Sequence, residues 1–301
     1  MHFPISDVTI NPFLLAAVGF VVGVLGGLFG VGGGFLAGPM MYLAGVPMNF
    51  VVGTDLAHMT GKAIVAARRH RTLGHVDIKL CLLMAVGTVP GVEMGARIIE
   101  WLEAAGSIDQ VVGIAYVVIL LAIGGFTCWE SMRAMQLVRT EQMAARDALA
   151  FRGVTHRVHG FNLPPHISLP ASGIESISVW VVLGVSFVTG LLAGVLGVGG
   201  GFVRMPMMVY LIGVPTHVAV GTDLFEIVIS AGFGTVTHAL KGNVDIMIAL
   251  VMHTGAAIGA QIGATSTRFF IGPRIRFFFS FLPIIGASLV ILRLLGLMGG
   301  H

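Results

Sequence analysis

The stretch GVGGGF occupies residues 30–35, and the same six letters return at residues 197–202. Both copies stand between long apolar stretches, although glycine is the poorest helix former after proline. Each copy is followed by PMM, then GVP, then VGTDL, which lies at residues 52–56 and 220–224. With one residue inserted in the second copy, 20 of 30 positions match between residues 27–56 and 194–224. The chain is therefore an internal duplication.

The composition is that of an integral membrane protein. Of 301 residues, 56% are hydrophobic and only 10% are charged, and the mean hydropathy is +0.95. A soluble domain carries roughly 25% charged residues. The net charge of +3 does not indicate nucleic-acid binding, because the arginines fall between apolar stretches rather than on one basic face.

No Lys or Arg precedes the first apolar stretch, so we expect no cleavable signal peptide. The two cysteines lie within apolar segments and are expected to be reduced thiols.

Five apolar segments are expected in each half of the chain. They run over residues 13–29, 35–47, 50–67, 78–98 and 110–129, and over 177–197, 202–214, 217–238, 245–265 and 277–298. Most reach the roughly 17–25 residues that cross a bilayer as helix, but the second of each half is shorter and contains a proline. The prediction is an all-α integral membrane protein with two homologous repeats, residues 1–129 and 177–301.

A polar segment, residues 130–176, connects the two repeats. It ends in NLPPHISLPASG, residues 162–173, which is typical of an extended linker. Its arginine-bearing first part is either an amphipathic helix on the membrane surface or a solvated extension.

The charges of the loops predict that the repeats are inverted relative to each other. In the first half the loop after the third segment is basic, whereas in the second half the loop after the fourth segment is basic. The residues concerned are Arg68, Arg69, Arg71 and Lys79 in the first loop, and Arg268, Arg274 and Arg276 in the second. By the positive-inside rule, this bias requires five crossings per half and a cytoplasmic connecting segment. Parallel repeats remain the alternative if the short second segments do not cross.

The glycine stretches predict an anion site. A helix interrupted at membrane depth exposes backbone N–H groups, and such a break survives only where protein or a polar cavity covers it. Short, interrupted segments at matching places in inverted halves mark the binding sites of transporters. The predicted ligands are therefore the backbone amides of Gly32, Gly33, Gly34, Gly199, Gly200 and Gly201. Close helix packing without a ligand is the alternative reading. Neither stretch fits the dinucleotide-binding or phosphate-loop motif.

Ionisable residues inside the apolar segments are the other candidates, because charge in a bilayer is costly. Asp55, His58 and Lys62 share one helical face, and the second repeat has Asp223, Glu226 and Ser230 at the same spacing. Thr54, Thr222, Lys62 and Arg204 are predicted to bind substrate. Asp55, Asp223, Glu226 and His58 are predicted to couple protons or to form structural ion pairs.

No metal-ligand spacing and no catalytic constellation occurs, so we expect no metal, no cofactor and no enzymatic activity.

The duplicated GVGGGF…P…GVP…VGTDL, followed by HRTLGHVD at residues 70–77 and HALKGNVD at 238–245, resembles the TauE/SafE sulfite-exporter family. The resemblance covers nearly the whole chain except the connecting segment. It implies transport of small sulfur oxyanions or organosulfonates. Many members of the family carry Ser where this chain has Asp55 and Asp223, and the Asp pattern with a downstream Lys, here Lys62, resembles a subgroup.

The expected function is a secondary transporter that exports sulfite, sulfate, thiosulfate or a small organosulfonate by alternating access. An anion channel and a non-transporting receptor or scaffold are the alternatives. The expected partners are the anion and membrane lipid, without nucleic acid; a homo-oligomer is compatible with the sequence. The expected location is a bacterial inner membrane.

Overall fold

The computed structural model describes residues 1–30, 34–138, 163–196, 200–270 and 272–294. Within these ranges each half consists of a short β-hairpin followed by five α-helices. The first half contains β1 (His2–Phe3), β2 (Val8–Thr9), α1 (Pro12–Phe29), α2 (Gly34–Leu43), α3 (Met48–Thr72), α4 (Ile78–Ala104) and α5 (Ile108–Val138). The second half contains β3 (His166–Leu169), β4 (Ile174–Ser178), α6 (Val179–Leu196), α7 (Gly201–Met207), α8 (Thr216–Leu240), α9 (Ile246–Ser266) and α10 (Gly272–Leu294). The two hairpins are antiparallel.

The prediction of an all-α integral membrane protein is confirmed. Seven of the described helices are long and apolar enough to cross a membrane, namely α1, α4, α5, α6, α8, α9 and α10. Helix α3 has 25 residues and rises about 37 Å, but its charged side chains lower its hydropathy. Helix α2 has only ten residues and rises about 15 Å, half the thickness of the hydrocarbon core.

The residue inserted in the second repeat is absorbed by a local change of helix type. In the first repeat, α2 keeps α-helical geometry to Leu43. In the second, α7 ends at Met207 and a π-helical turn, Met208–Ile212, follows it. A π-turn holds one more residue per turn than an α-helix. The insertion therefore leaves the GVP turn and the following helix in equivalent places.

The first helix of each half packs closely against the fourth helix of the other half. In the α1–α9 pair, Gly19, Gly23 and Gly27 lie against the backbone of Met252, Ala256 and Ala260, respectively. The residue numbers of these contacts increase in the same direction along both helices, so α1 and α9 run parallel. The α4–α6 pair repeats this contact through Gly91, Gly95, Gly190 and Gly194. Close approach of backbones at small residues is the usual packing of helices in lipid.

The third helices of the two halves, α3 and α8, run antiparallel to each other. The start of α3, at Gly53, lies against the carbonyl of Asn243 just beyond the end of α8. The start of α8, at Gly221, lies against the carbonyl of His75 just beyond the end of α3. Between these ends the hydroxyls of Thr60 and Thr235 lie 3.4 Å apart. The two halves therefore interlock through their third helices.

The expected end of the first repeat, at residue 129, falls inside α5, which continues for nine further residues to Val138. Glu130, the first of these residues, is buried and pairs with Arg276 of α10, with Nε and Oε2 3.3 Å apart. The predicted extended linker at residues 162–173 contains strand β3 and the turn that leads to β4. Residues 139–162 of the connecting segment lie outside the described residues.

Replacing Gly23 by alanine should destabilise the α1–α9 pair, because the added Cβ would lie 2.5 Å from the carbonyl oxygen of Ala256. Overpacking of this kind costs about 1–3 kcal/mol, so the apparent melting temperature in detergent should fall by several degrees. Gly184→Ala is the matched control, since no atom lies within 4 Å of the added Cβ on α6. Equal melting temperatures for Gly23→Ala and Gly184→Ala would contradict the packing.

Candidate functional site

Helix α3 carries a buried polar chain, the α3 cluster, made of Asp55, His58 and Lys62. Nδ1 of His58 lies 3.5 Å from Oδ1 of Asp55 and 3.3 Å from Nζ of Lys62. All three side chains are buried. The single helical face predicted from the sequence therefore holds a carboxylate and a cation joined through an imidazole.

Helix α8 carries the matching α8 cluster, made of Asp223, Glu226 and Arg204 from α7. Nε of Arg204 lies 3.4 Å from Oδ1 of Asp223, and Nη1 contacts Oε2 of Glu226. The hydroxyl of Ser230 donates to Glu226 at 3.1 Å. The three charged side chains are fully buried. Arg204 thus pairs with both carboxylates, although its position near the start of a helix opposes the helix dipole.

The two clusters differ in their balance of charge. The α3 cluster sets one ammonium against one carboxylate, whereas the α8 cluster sets one guanidinium against two carboxylates. The cations also come from different elements, because Ser230 replaces Lys62 on α8 and Ala37 stands at the position of Arg204 on α2. The internal duplication has therefore kept the aspartate, placed Glu226 at the position of His58, and moved the cation.

Thr54 and Thr222 make contacts that the sequence analysis did not anticipate. The hydroxyl oxygen of Thr54 accepts a hydrogen bond from the backbone N–H of Asp245 at 2.8 Å. The hydroxyl oxygen of Thr222 accepts one from the backbone N–H of Asp77 at 2.9 Å. Each threonine thus ties the third helix of its own half to the start of the fourth helix of the other half. These bonds engage the hydroxyl oxygens and leave the hydroxyl protons as donors.

The glycine stretches are described only in part. Gly32, Gly33 and Gly199 lie outside the described residues. Gly34 is the first residue of α2, and Gly201 is the first residue of α7. Gly200 is the N-cap of α7 with a left-handed φ of 71°, and a Cβ there would lie 2.8 Å from Nη2 of Arg204. The absence of a side chain at Gly200 therefore makes room for the guanidinium of the α8 cluster.

Tyr116 of α5, which no pattern in the sequence marks, links the two interrupted segments. Its hydroxyl donates to the carbonyl of Leu196, the last residue of α6 before the second glycine stretch. The same hydroxyl lies against α2, where a Cβ on Gly38 would be 2.6 Å from it. The side chain is buried. A lone tyrosine in an apolar segment carries no periodic signal, so only the tertiary structure identifies it.

Four repeated polar residues hold helix ends in place. The imidazoles of His70 and His238 lie 3.0 and 3.2 Å from the carbonyl oxygens of Gly27 and Gly194. These carbonyls belong to the last turns of α1 and α6, just before the glycine stretches. Asp77 and Asp245 are the N-caps of α4 and α9. Their recurrence in HRTLGHVD and HALKGNVD was visible in the sequence, but their capping role was not.

In the part of the chain that the structure describes, no group of three His, Cys, Asp or Glu side chains could hold a metal ion. Cys81 and Cys128 are free thiols.

Buried, paired charges between two interlocked helical halves are typical of the substrate and ion pathways of membrane transporters. The family model described as "Sulfite exporter TauE/SafE" matches residues 15–290. The chain therefore belongs to the TauE/SafE family of membrane transporters, and the resemblance seen in the sequence is confirmed.

Curated relatives agree with this assignment. The chain is 27% identical over 267 residues to the "Probable membrane transporter protein YunE" of Bacillus subtilis, covering 85% of this chain and 88% of the relative. It is 24% identical over 266 residues to a "Probable membrane transporter protein" of Methanocaldococcus jannaschii, covering 83% and 84%. No solved structure matches the chain.

Thr222→Val should destabilise the protein, because it leaves the buried N–H of Asp77 without an acceptor. An unpaired buried amide costs about 1–3 kcal/mol, and Thr54→Val should cost a similar amount at Asp245. Thr222→Ser and Thr54→Ser keep the hydroxyl and are the matched controls. Thermal unfolding in detergent measures the difference; a valine variant as stable as its serine control would contradict the tie between the halves.

Proposed function

We propose that this transporter exports a small sulfur-containing anion, namely sulfite, sulfate, thiosulfate or a small organosulfonate. The family supplies the substrate class, and the buried cations Lys62 and Arg204 supply the attraction. Inside a bilayer an anion is stabilised only by fixed positive charge and hydrogen-bond donors. The amides of the two glycine stretches and the hydroxyl protons of Thr54 and Thr222 would complete the site.

The observation that carries the proposal is the placing of Arg204 between Asp223 and Glu226. An arriving anion must compete with these carboxylates for the guanidinium, and likewise with Asp55 for Lys62. A carboxylate released from its cation inside the protein is unstable as a charge, so uptake of a proton by that carboxylate accompanies binding of the anion. Anion and proton therefore bind cooperatively, and each favours the other equally.

Export then needs no other coupling ion. A dianion that leaves together with one proton carries a net single negative charge outward. A membrane potential negative inside favours this movement by about 2.3 kcal/mol per 100 mV. The carboxylates of the site are thus compatible with export, since they lower the charge that must cross without reversing its sign.

Alternating access would follow from inverted repeats, residues 1–129 and 177–301. The antiparallel course of α3 and α8 supports the inversion, as do the basic residues 68–71 at the end of α3 and Arg268 just after α9. Arg276, which the sequence assigns to the second basic loop, instead lies buried in α10. Helices α1 and α3 end together, where His70 meets Gly27, so the chain between them returns across the layer before α3 begins. This path favours five crossings per half. The connecting segment would face the cytoplasm of a bacterial inner membrane.

Flux into proteoliposomes tests the proposal with radiolabelled sulfite, sulfate, thiosulfate and a small organosulfonate. We expect saturable flux and counterflow for at least one of these anions, and stimulation of that flux by a pH gradient. Lys62→Ala and Arg204→Ala should each lower the flux at least 10-fold, because each removes one buried cation. Arg97→Ala is the matched control, since Arg97 pairs with Glu93 on the exposed face of α4.

Arg204→Ala alone leaves two buried carboxylates unpaired and risks misfolding. A second variant, with Arg204→Gln, Asp223→Asn and Glu226→Gln together, removes the cluster without leaving a charge. Wild-type flux in this folded variant and in Lys62→Ala would refute the charge assignments. Flux without saturation or counterflow would instead indicate a channel, and the absence of any flux would indicate a receptor or scaffold.

A further inference from the structure

His253 of α9 is a titratable side chain that the proposed site does not use. It is half-buried, whereas Asp55, His58 and Lys62 are buried. Its imidazole lies in a notch on α3 made by Gly61, where a Cβ would be 2.5 Å from Cε1 and 2.6 Å from Nδ1. Lys62 follows Gly61 directly, and His253 lies within electrostatic range of both Lys62 and His58. Helix α9 therefore places an imidazole beside Lys62, at the end of the α3 cluster that is farther from Asp55.

The groups facing His253 can be named for each helix that packs against α9. Helix α1 has no titratable residue between Pro12 and Phe29. On helix α3, His58 and Lys62 interact electrostatically with His253, and Asp55 interacts with Lys62. Thr60, next to the notch, and Thr235 of α8 are partly exposed polar side chains at the same level. An ionisable side chain within a spanning helix, as His253 is, commonly belongs to a proton relay.

We propose that His253 is the residue through which protons enter and leave the α3 cluster, so that Asp55 is the carboxylate that takes up the proton accompanying the anion. This inference rests on the proposed function. Along this path a proton passes from His253 to Lys62, then to His58 and finally to Asp55. A rotation of the Lys62 side chain, or one intervening water molecule, completes the first step.

The proton transfers balance along this path. A protonated Lys62 can only donate, so the proposed path begins with Nδ1 of His58 as the acceptor. Lys62 gives a proton to Nδ1 of His58, and the same nitrogen passes it to Oδ1 of Asp55. The neutral amine of Lys62 then takes a proton from protonated His253, which recovers one from water. The net change is one proton moved from water to Asp55.

The second repeat lacks this path. The position of His253 corresponds to Ala85 on α4, and the position of Gly61 corresponds to Ile229 on α8. Asp223 and Glu226 face Arg204, whose guanidinium holds its proton throughout. The duplication has therefore produced one cluster that exchanges protons and one whose cation stays charged. This division gives the two repeats different roles in a single cycle.

The test compares two fluxes in the same proteoliposomes. Sulfite-driven proton movement is followed with a trapped pH indicator, and radiolabelled sulfite counterflow is measured at equal pH on both sides. His253→Ala should lower sulfite-driven proton movement at least 10-fold and change counterflow by less than twofold, because exchange leaves the proton in place. Added imidazole should restore part of the proton movement, which a purely structural role would not allow.

Gly61→Ala provides a second variant, since its methyl group displaces the imidazole without removing it. It should reproduce the loss of proton movement. Thr254→Ala is the matched control, because its exposed hydroxyl bonds only to the carbonyl of Val251 in its own helix. Proton movement in His253→Ala equal to that in Thr254→Ala would overturn the inference. An equal loss of both fluxes in His253→Ala would overturn it too. Sulfite flux without proton movement in the wild type would instead refute the coupling in the proposed function.

Discussion

A charge buried within a membrane protein must be neutralised where it lies, and this constraint organises the centre of the molecule. Lys62 on α3 lies beside His58 and Asp55, and Arg204 on α7 pairs with two carboxylates of α8. Helices α3 and α8 are those through which the halves interlock. Truncating one partner of such a pair leaves an uncompensated charge at a cost of about 3–5 kcal/mol. In the proposed function, a substrate anion enters by replacing a carboxylate as the partner of a cation. Binding of the anion, uptake of the proton and stability of the buried clusters therefore depend on the same balance of charge.

The balance of charge in the two clusters is structurally connected to the contacts between the halves. The threonines that precede Asp55 and Asp223 accept backbone N–H bonds from the other half. Each aspartate that would change its partner is therefore the direct neighbour in the chain of a threonine that contacts the other half. The glycine contacts of α1 with α9 and of α4 with α6 keep these helix pairs closely packed. In the proposed alternating access, each of these pairs would move as one rigid unit.

The sequence predicted the fold well, because duplication and hydrophobic length are properties of continuous segments. It predicted the face shared by Asp55, His58 and Lys62 from helical periodicity alone. It did not predict that α5 continues to Val138, nor that Glu130 is buried against Arg276 of α10, which is 146 residues away in the chain. Nor did it identify Tyr116 or the partners of the threonines, since these contacts join segments that are far apart in the chain. Proton coupling, export and the bound anion remain predictions.

The central claim is that an anion reaches the buried cations only as a carboxylate takes up a proton. Calorimetric titration of the purified protein with sulfite, in buffers of different ionisation enthalpy, counts the protons taken up per anion bound. We predict uptake of about one proton per bound anion beyond the change in protonation of sulfite itself. Sulfite that binds with no such uptake would mean that the carboxylates stay charged, which would contradict the account.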